Sequence, residues 1–127
     1  MTGDVKVIVL VADDDEGIRD TTAAILRCVG YTVVEVQDGE AALAELAITS
    51  FTVAVLDVRM PKRDGISVVE TLDPEPPPPV ILMASAYDFS PELRDQLSPR
   101  VFKYLKKPVP PSLLIEAVHE AARGLEP

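Results

Sequence analysis

Cysteine is nearly absent from this chain of 127 residues, which contains only Cys28. A single cysteine cannot form an internal disulfide, and such a composition suits a reducing compartment. Cys28 falls within an apolar helical pattern, so the pattern predicts a buried structural residue and not a catalytic thiol. The sequence therefore predicts a cytoplasmic protein without a disulfide framework.

Long apolar runs are absent as well. The N-terminus has no basic segment followed by an apolar stretch, which a secretory signal peptide requires. No apolar run approaches the length of about 20 residues that a membrane-spanning helix needs. The sequence accordingly predicts a soluble protein that has no membrane partner.

Basic residues are scarce, with 12 Lys and Arg against 21 Asp and Glu and a formal net charge of -9. Direct binding of nucleic acid needs Lys and Arg to neutralise phosphates, so this balance argues against such a partner. The acidic excess is compatible with divalent cation binding wherever several carboxylates cluster. The length and the hydrophobic fraction of 47% predict one globular domain, residues 1–127.

Short β-branched apolar runs alternate with helical patterns along the whole chain. Runs at residues 5–11, 32–36, 53–56, 80–84 and 101–105 predict strands, and helical patterns follow each of them, at residues 16–29, 39–47, 66–72, from Ser90 and from Pro111. Five such repeats indicate an α/β fold with a parallel sheet covered on both faces. We expect a flavodoxin-like (βα)5 three-layer sandwich of strand order 2-1-3-4-5.

Acidic side chains follow two of the predicted strands. Asp13 and Asp14 come after the first strand and Asp57 after the third, and this strand order places the two strands side by side. Clustered carboxylates repel one another, and Mg²⁺ relieves that conflict. A carboxylate–Mg²⁺ site suits phosphoryl transfer, with one aspartate as nucleophile. Ser85 and Lys107, at the ends of the fourth and fifth strands, supply a hydroxyl and a positive charge for a phosphoryl group.

In this arrangement the chain resembles the receiver domains of response regulators in two-component signalling. The similarity covers residues 5–124 and rests on Val11-Ala-Asp13-Asp14-Asp15, on Leu56-Asp57-Val-Arg-Met-Pro61-Lys-Arg-Asp64-Gly65, on Ser85-Ala86-Tyr87 and on Tyr104-Leu-Lys-Lys107-Pro108. The resemblance implies a phosphorylation-dependent signalling switch. It also implies a sensor histidine kinase, or a phosphotransfer protein, as the partner that donates the phosphoryl group.

The resemblance also implies roles for single residues. Asp57 would accept the phosphoryl group, and Lys107 would hold it. Mg²⁺ would be bound by Asp14 directly, by Asp13 largely through water, by Asp57 and by the backbone carbonyl of Arg59. Ser85 and Tyr104 would form a switch pair in which the hydroxyl moves toward the phosphate and the ring turns inward. The protein would then be no enzyme beyond its own phosphoryl transfer and dephosphorylation.

Two features depart from the family pattern. The hydroxyl residue usually comes one position sooner after the proline that opens the fourth strand, which makes Ala84 the alternative to Ser85. Ser85 is preferred here because Ser-Ala-Tyr-Asp matches the loop that follows it. The segment Ser98-Pro99-Arg100 replaces the usual small and acidic turn and the fourth helix is short, so the choice of partner at the signalling face of strands 4 and 5 cannot be carried over from the family. The output and a homodimer are left open.

Two other functions are compatible with these residues. The first is a degenerate receiver that acts as a constitutive interaction module. If Ala84 and not Ser85 occupies the switch position, the hydroxyl half of the switch is missing, as this function would allow. A Mg²⁺-dependent phosphohydrolase with an aspartyl-phosphate intermediate is disfavoured, because the chain has no cap domain or second acidic motif for a substrate. His119, the only histidine, is expected to be an exposed residue of the last helix and not a phosphohistidine.

Overall fold

Five strands and five helices alternate along the chain in the computed structural model, which describes residues 6–75 and 77–124. The elements are β1 Ile8–Ala12, α1 Glu16–Cys28, β2 Thr32–Val36, α2 Gly39–Ile48, β3 Val53–Asp57, α3 Gly65–Thr71, β4 Val80–Ser85, α4 Pro91–Leu97, β5 Val101–Lys106 and α5 Pro111–Ala122. Each predicted element is present, with ends that differ by at most a few residues. The predicted start of the first strand at Val5 lies outside the described residues, as does Pro76 of the proline run.

The strands form one parallel sheet of order β2-β1-β3-β4-β5, which confirms the predicted topology. β1 and β3 are neighbours, with Val11 opposite Val55 and Ala12 opposite Leu56. The carboxyl ends of all five strands therefore lie at one edge of the sheet. The strand order reverses between the neighbouring strands β1 and β3. That edge carries the candidate site.

The sheet separates two apolar cores. One core packs α1 and α5 against the sheet, and its buried residues include Leu26, Val55 and Val118. The other packs α2, α3 and α4 against the opposite face, around residues such as Leu56 and Met83. Successive strand residues point to opposite faces, so a parallel strand between two helical layers must be apolar at nearly every position.

Polar residues at the helix ends fix where the helices begin. The N-caps of α1, α2, α3 and α4 are Asp15, Asp38, Asp64 and Ser90, and each side chain accepts the backbone N–H of the residue three positions later. Gly30 follows α1 with a φ of 102°, a left-handed conformation that glycine commonly adopts just after a helix. Asp15 and Asp64 therefore act as helix caps, although both stand next to residues of the acidic motifs.

Cys28 corrects one expectation, because its side chain is exposed and not buried. It is the last residue of α1 and lies two positions after the buried Leu26, which places the two side chains on opposite sides of the helix. His119 is exposed on α5, as expected. In the part of the chain that is described, no helix is both long and apolar enough to cross a bilayer.

Candidate functional site

The predicted site residues converge at the carboxyl edge of the sheet. Asp13 follows β1, Asp57 ends β3, Ser85 ends β4 and Lys107 follows β5. The carboxylates of Asp13, Asp14 and Asp57 each offer an oxygen atom, and these atoms lie within 4.8 Å of one another. Asp13 and Asp57 are buried, whereas Asp14 is exposed. The strand order thus brings together residues that are up to 94 positions apart.

Asp13 makes four hydrogen bonds, two through its backbone and two through its carboxylate. Its N–H donates to the carbonyl of Val36 in β2 (3.1 Å), and its Oδ1 accepts the N–H of Asp15 (2.9 Å). Its backbone carbonyl accepts Nη1 of Arg19 (3.0 Å), and its Oδ2 accepts Nζ of Lys107 (2.7 Å). Two of these four bonds go to the carboxylate itself, which needs partners because an unpaired charge in the interior is costly.

Lys107 bridges two of the three carboxylates. Its Nζ lies 2.7 Å from Oδ2 of Asp13 and 3.2 Å from Oδ2 of Asp57. Burial disfavours the ammonium, but the hydrogen bond to Asp13 and the charges of both carboxylates outweigh it, so the pKa of Lys107 is raised. The lysine therefore stays charged at neutral pH and offers one cation against three anions.

Asp57 has a pKa raised above its ordinary value. Burial is the largest cause, the Lys107 ammonium opposes it, and the Asp13 carboxylate adds repulsion in the same direction as burial. A hydrogen bond from the backbone of Arg59 partly offsets these effects. This carboxylate is consequently less stable in its ionised form than an exposed one, and a further cation nearby would relieve it.

The loop after β3 approaches the site very closely. Gly65, the first residue of α3, donates its N–H to the carbonyl of Val58 (2.9 Å). A Cβ at Gly65 would overlap the carbonyl oxygen of Asp57 and lie 3.1 Å from its carbonyl carbon. Glycine is required here because the helix start lies directly against the backbone of Asp57. Asp14, Arg59 and Asp64 also line one surface cavity of about 560 Å³ on this side.

Ser85 and Ala84 occupy different faces of β4. Ala84 is the register partner of Asp57 and belongs to the core beneath α1 and α5. Ser85, the next residue, points to the other face by strand alternation, and its Oγ accepts the N–H of Tyr87 (3.0 Å). Both residues are buried. The nearest residue across the sheet from Asp57 is thus the alanine, and the hydroxyl lies one position further along.

Tyr104 lies half-buried on β5 between an aromatic ring and a cation. Its ring centroid is 4.8 Å from that of Phe89, and the guanidinium of Arg94 on α4 lies 4.5 Å over the ring. Burial raises the pKa of the Tyr104 hydroxyl, and the Arg94 charge opposes that shift. Tyr104 is on the face of the sheet that carries α4, the face to which Ser85 also points.

The side chains of three arginines at or near this edge were not assigned a role from the sequence. Arg19 bonds the carbonyl of Asp13, Arg94 covers Tyr104, and the guanidinium of Arg59 lies 4.6 Å over the ring of Tyr87. For Arg59 the sequence indicated a role of the carbonyl only. The position of Arg19 one helical turn after Asp15 was the available signal, since a side chain there turns back toward the end of β1.

The donor set fits a hard divalent cation. Three carboxylates face one Lys107 ammonium, so two negative charges are left without a partner of opposite sign inside the cluster. Carboxylate oxygens are the ligands that Mg²⁺ prefers, and two of these aspartates are largely shielded from water. Uncompensated carboxylates at the carboxyl edge of a parallel sheet are therefore suited to a metal-assisted phosphoryl transfer.

Comparison with known proteins agrees with this geometry. The family model described as "Response regulator receiver domain" matches residues 9–119, which is most of the chain. The chain belongs to the response regulator receiver domains. These domains are phosphoryl-accepting modules of two-component signalling that bind Mg²⁺ at an acidic pocket and take phosphoryl groups from histidine kinases or phosphotransfer proteins.

The curated relatives that this chain matches are longer proteins. It is 33% identical over 121 residues to "Probable transcriptional regulator ycf27" of Cyanophora paradoxa, covering 95% of this chain and 50% of that protein. It is 30% identical over 119 residues to "Transcriptional regulatory protein FixJ" of Bradyrhizobium diazoefficiens, covering 94% of this chain and 58% of the relative. The chain thus spans about half the length of these curated relatives.

Two solved structures confirm the fold. The receiver domain protein described as CheY-like from Methanospirillum hungatei superposes with a TM-score of 0.86 at 28% identity, covering 94% of this chain and 96% of the other. The receiver domain of the Francisella response regulator 1452 gives a TM-score of 0.85 at 28% identity, covering 94% of this chain and 98% of that one. The sheet order and the five helices are therefore those of the family.

Proposed function

We propose that Asp57 is the phosphoacceptor of this receiver domain. A carboxylate oxygen of Asp57 attacks the phosphorus of a donor phosphohistidine, forming the O–P bond as the P–N bond breaks. The observation that carries this proposal is the ion pair of Lys107 with both Asp13 and Asp57 at the carboxyl edge of the sheet. Among the three clustered carboxylates, Asp57 is at the end of the central strand β3 and has the raised pKa.

Lys107 is proposed to hold the transferred group. In this structure its Nζ is closer to Asp13 than to Asp57, by 2.7 Å against 3.2 Å. An ammonium on a flexible stem moves easily over such distances, and a phosphoryl group on Asp57 presents three strong acceptor oxygens. Lys107 would exchange one carboxylate partner for the phosphoryl oxygens without leaving the site.

Asp13, Asp14, Asp57 and the backbone carbonyl of Arg59 are proposed to bind Mg²⁺. The clustered carboxylate oxygens and the cavity shared by Asp14 and Arg59 support this ligand set. When bound, the cation supplies charge neutralisation for the phosphoryl oxygens and for the carboxylates that face them. Arg19, Asp15 and Val36 keep Asp13 in place through the bonds described above.

The switch is proposed to run from Ser85 to Tyr104. The Ser85 hydroxyl accepts the N–H of Tyr87, so turning toward a phosphoryl oxygen would release that bond. Tyr104 would then move inward on the same face of the sheet and alter the surface formed by α4 and β5. Such a change is a shift between two packings, which the new bonds to the phosphoryl group favour.

Other parts of the proposal concern the surroundings of the domain. The donor is a sensor histidine kinase or phosphotransfer protein, and the output protein and a homodimer are left open. Residues 1–127 are proposed to form one receiver domain that catalyses only its own phosphoryl transfer and dephosphorylation. A cytoplasmic location also belongs to the proposal and rests on the single cysteine.

Incubation with acetyl phosphate and Mg²⁺, followed by intact-mass measurement, tests this function. The wild-type chain is expected to gain one phosphoryl group, and Asp57→Asn is expected to gain none. Asp14→Ala is expected to lose Mg²⁺ binding in an NMR titration and to label slowly, while Asp64→Asn, which keeps a capping side chain outside the cluster, should label as the wild type does.

The other functions give different results in the same assay. No adduct on the wild-type chain, together with no spectral response to beryllofluoride, would identify a constitutive interaction module. Turnover of added phosphoesters at many equivalents per chain would identify a phosphohydrolase. Labelling that persists in Asp57→Asn would assign the phosphoacceptor to another residue.

A further inference from the structure

Arg19 of α1 makes a contact that places it behind the acidic cluster. Its Nη1 donates to the backbone carbonyl of Asp13 (3.0 Å), and its Nε lies 3.5 Å from Oε1 of Glu35 in β2. The side chain is only 15% exposed, so this contact is largely shielded from water. A guanidinium that spans a helix, a strand end and a neighbouring strand is fixed in orientation by its planar fork of donors.

The carbonyl that Arg19 bonds belongs to the peptide joining Asp13 to Asp14. The orientation of that peptide sets the direction in which both carboxylates leave the backbone. The Asp13 side chain has further partners in Asp15 and Lys107, but Asp14 is exposed. The direction of Asp14 toward the cluster therefore depends on its backbone.

We infer that Arg19 is a positioning residue for the metal site, acting through the Asp13–Asp14 peptide and not through its charge. This inference rests on the proposed Mg²⁺-dependent function. Groups that hold metal ligands in place from outside the coordination sphere typically change metal affinity by about 10- to 100-fold when removed. The two possible actions of Arg19 also predict opposite signs. Loss of a cation near three carboxylates would strengthen Mg²⁺ binding, whereas loss of a positioning bond would weaken it.

Arg27 is a matched control on the same helix. Its Nη1 donates to Oε2 of the same Glu35 (2.9 Å), and its Nη2 donates to the carbonyl of Val33 (2.9 Å). Arg27 thus ties α1 to β2 as Arg19 does, but its described contacts do not include Asp13. Replacement of either arginine removes a link between α1 and β2, and only replacement of Arg19 also releases the peptide of the acidic cluster.

The experiment compares Mg²⁺ affinities of the wild type, Arg19→Gln and Arg27→Gln by titrating amide NMR signals with MgCl₂, and compares stabilities by urea unfolding. Arg19→Gln should bind Mg²⁺ about tenfold more weakly. Arg27→Gln should bind as the wild type does even if it is equally destabilised. Arg19→Lys, which retains a cation and a donor, should recover part of the lost affinity and serves if the glutamine variant does not fold.

Each outcome decides the matter. Unchanged or tighter Mg²⁺ binding in Arg19→Gln overturns the positioning role, while the proposed function stands as long as the wild type binds Mg²⁺ and is phosphorylated. Equal weakening in Arg19→Gln and Arg27→Gln also overturns it, because the effect would then follow the packing of α1 on β2. A wild-type chain that takes up no Mg²⁺ overturns both the inference and the proposed function.

Discussion

Replacing Gly65 with alanine would place a methyl group against the backbone of Asp57. The added Cβ would overlap the carbonyl oxygen of Asp57 and lie 3.3 Å from the Cα of Val58, and neither group can rotate away as a side chain could. The start of α3 must then retreat by about 1 Å, and overpacking of this kind costs about 1–3 kcal/mol. Alanine favours the helix by up to about 1 kcal/mol, so we expect a net loss of about 1–2 kcal/mol.

Urea unfolding followed by far-UV circular dichroism measures that loss. Gly17→Ala in α1 is the control, because its Cβ would approach Asp15 Oδ1 at 3.4 Å, an ordinary contact, and the variant should be at least as stable as the wild type. The retreat of α3 also displaces the backbone of Asp57, so labelling of Gly65→Ala by acetyl phosphate should slow by about tenfold or more. A Gly65→Ala chain within about 0.5 kcal/mol of wild type would refute the argument from close approach.

Three further perturbations test the charges and the switch. The native pKa of Asp57 lies above its value in the unfolded chain, so the free energy of unfolding of the wild type falls as the pH rises between these two values. Asp57→Asn lacks this titration and should therefore gain stability relative to the wild type across that pH range, as measured by urea unfolding. A stability difference that does not change with pH would contradict this. Arg94→Ala removes the cation over Tyr104 and should raise the pKa of the Tyr104 hydroxyl further. Ultraviolet titration measures this pKa, with the Tyr104→Phe variant as the background to subtract. A lowered pKa would show that Arg94 acts by shielding Tyr104 from water and not by its charge. Ser85→Ala removes the acceptor of the Tyr87 N–H and should cost about 1 kcal/mol while leaving acetyl phosphate labelling in place; it should abolish the response of the Tyr104 ring signals to beryllofluoride, and a full response would exclude Ser85 from the switch.

The order of the sheet and the meeting of the acidic residues could be predicted because both depend on simple patterns. Continuous apolar runs identify strands buried on both faces, and alternation with helices leaves few topologies. Once β1 and β3 are neighbours, Asp13 and Asp57 must lie at the same edge. The helix start at Ser90 could be predicted in the same way, since capping is a local property of the chain.

The contacts of long side chains could not be predicted from these patterns. Nothing in the spacing of residues indicates that Lys107 lies closer to Asp13 than to Asp57, because the difference depends on how β5 continues past the sheet edge. Arg94 contacts Tyr104 only because α4 packs over β5. Cys28 was wrongly predicted to be buried, because an apolar helical pattern does not tell which of its residues face the sheet.

The position of Ser85 is a mixed case. Its motif placed it at the end of β4, where it is found, but the register makes Ala84 the direct neighbour of Asp57. The β4–β5 pairing contains a register shift between Ile81 and Leu82, and the extra residue there is Phe102 of β5. The β3–β4 pairing has no such shift, so the residue at which β4 begins to pair decides which side chain lies opposite Asp57, and a sequence pattern alone does not reveal that register.

Adjacent residues of β4 face the two different helical layers of the domain. Ala84 shares with Asp57 and Lys107 a cavity of about 570 Å³ beneath α1 and α5, whereas Ser85 points toward the layer that holds Tyr104. Under the proposed function, a donor that reaches Asp57 from the α1 side leaves the Tyr104 surface uncovered. Substitutions on α1 could then change which kinase is accepted while the recipient of the signal stays the same, so the two specificities could evolve independently within a single sheet.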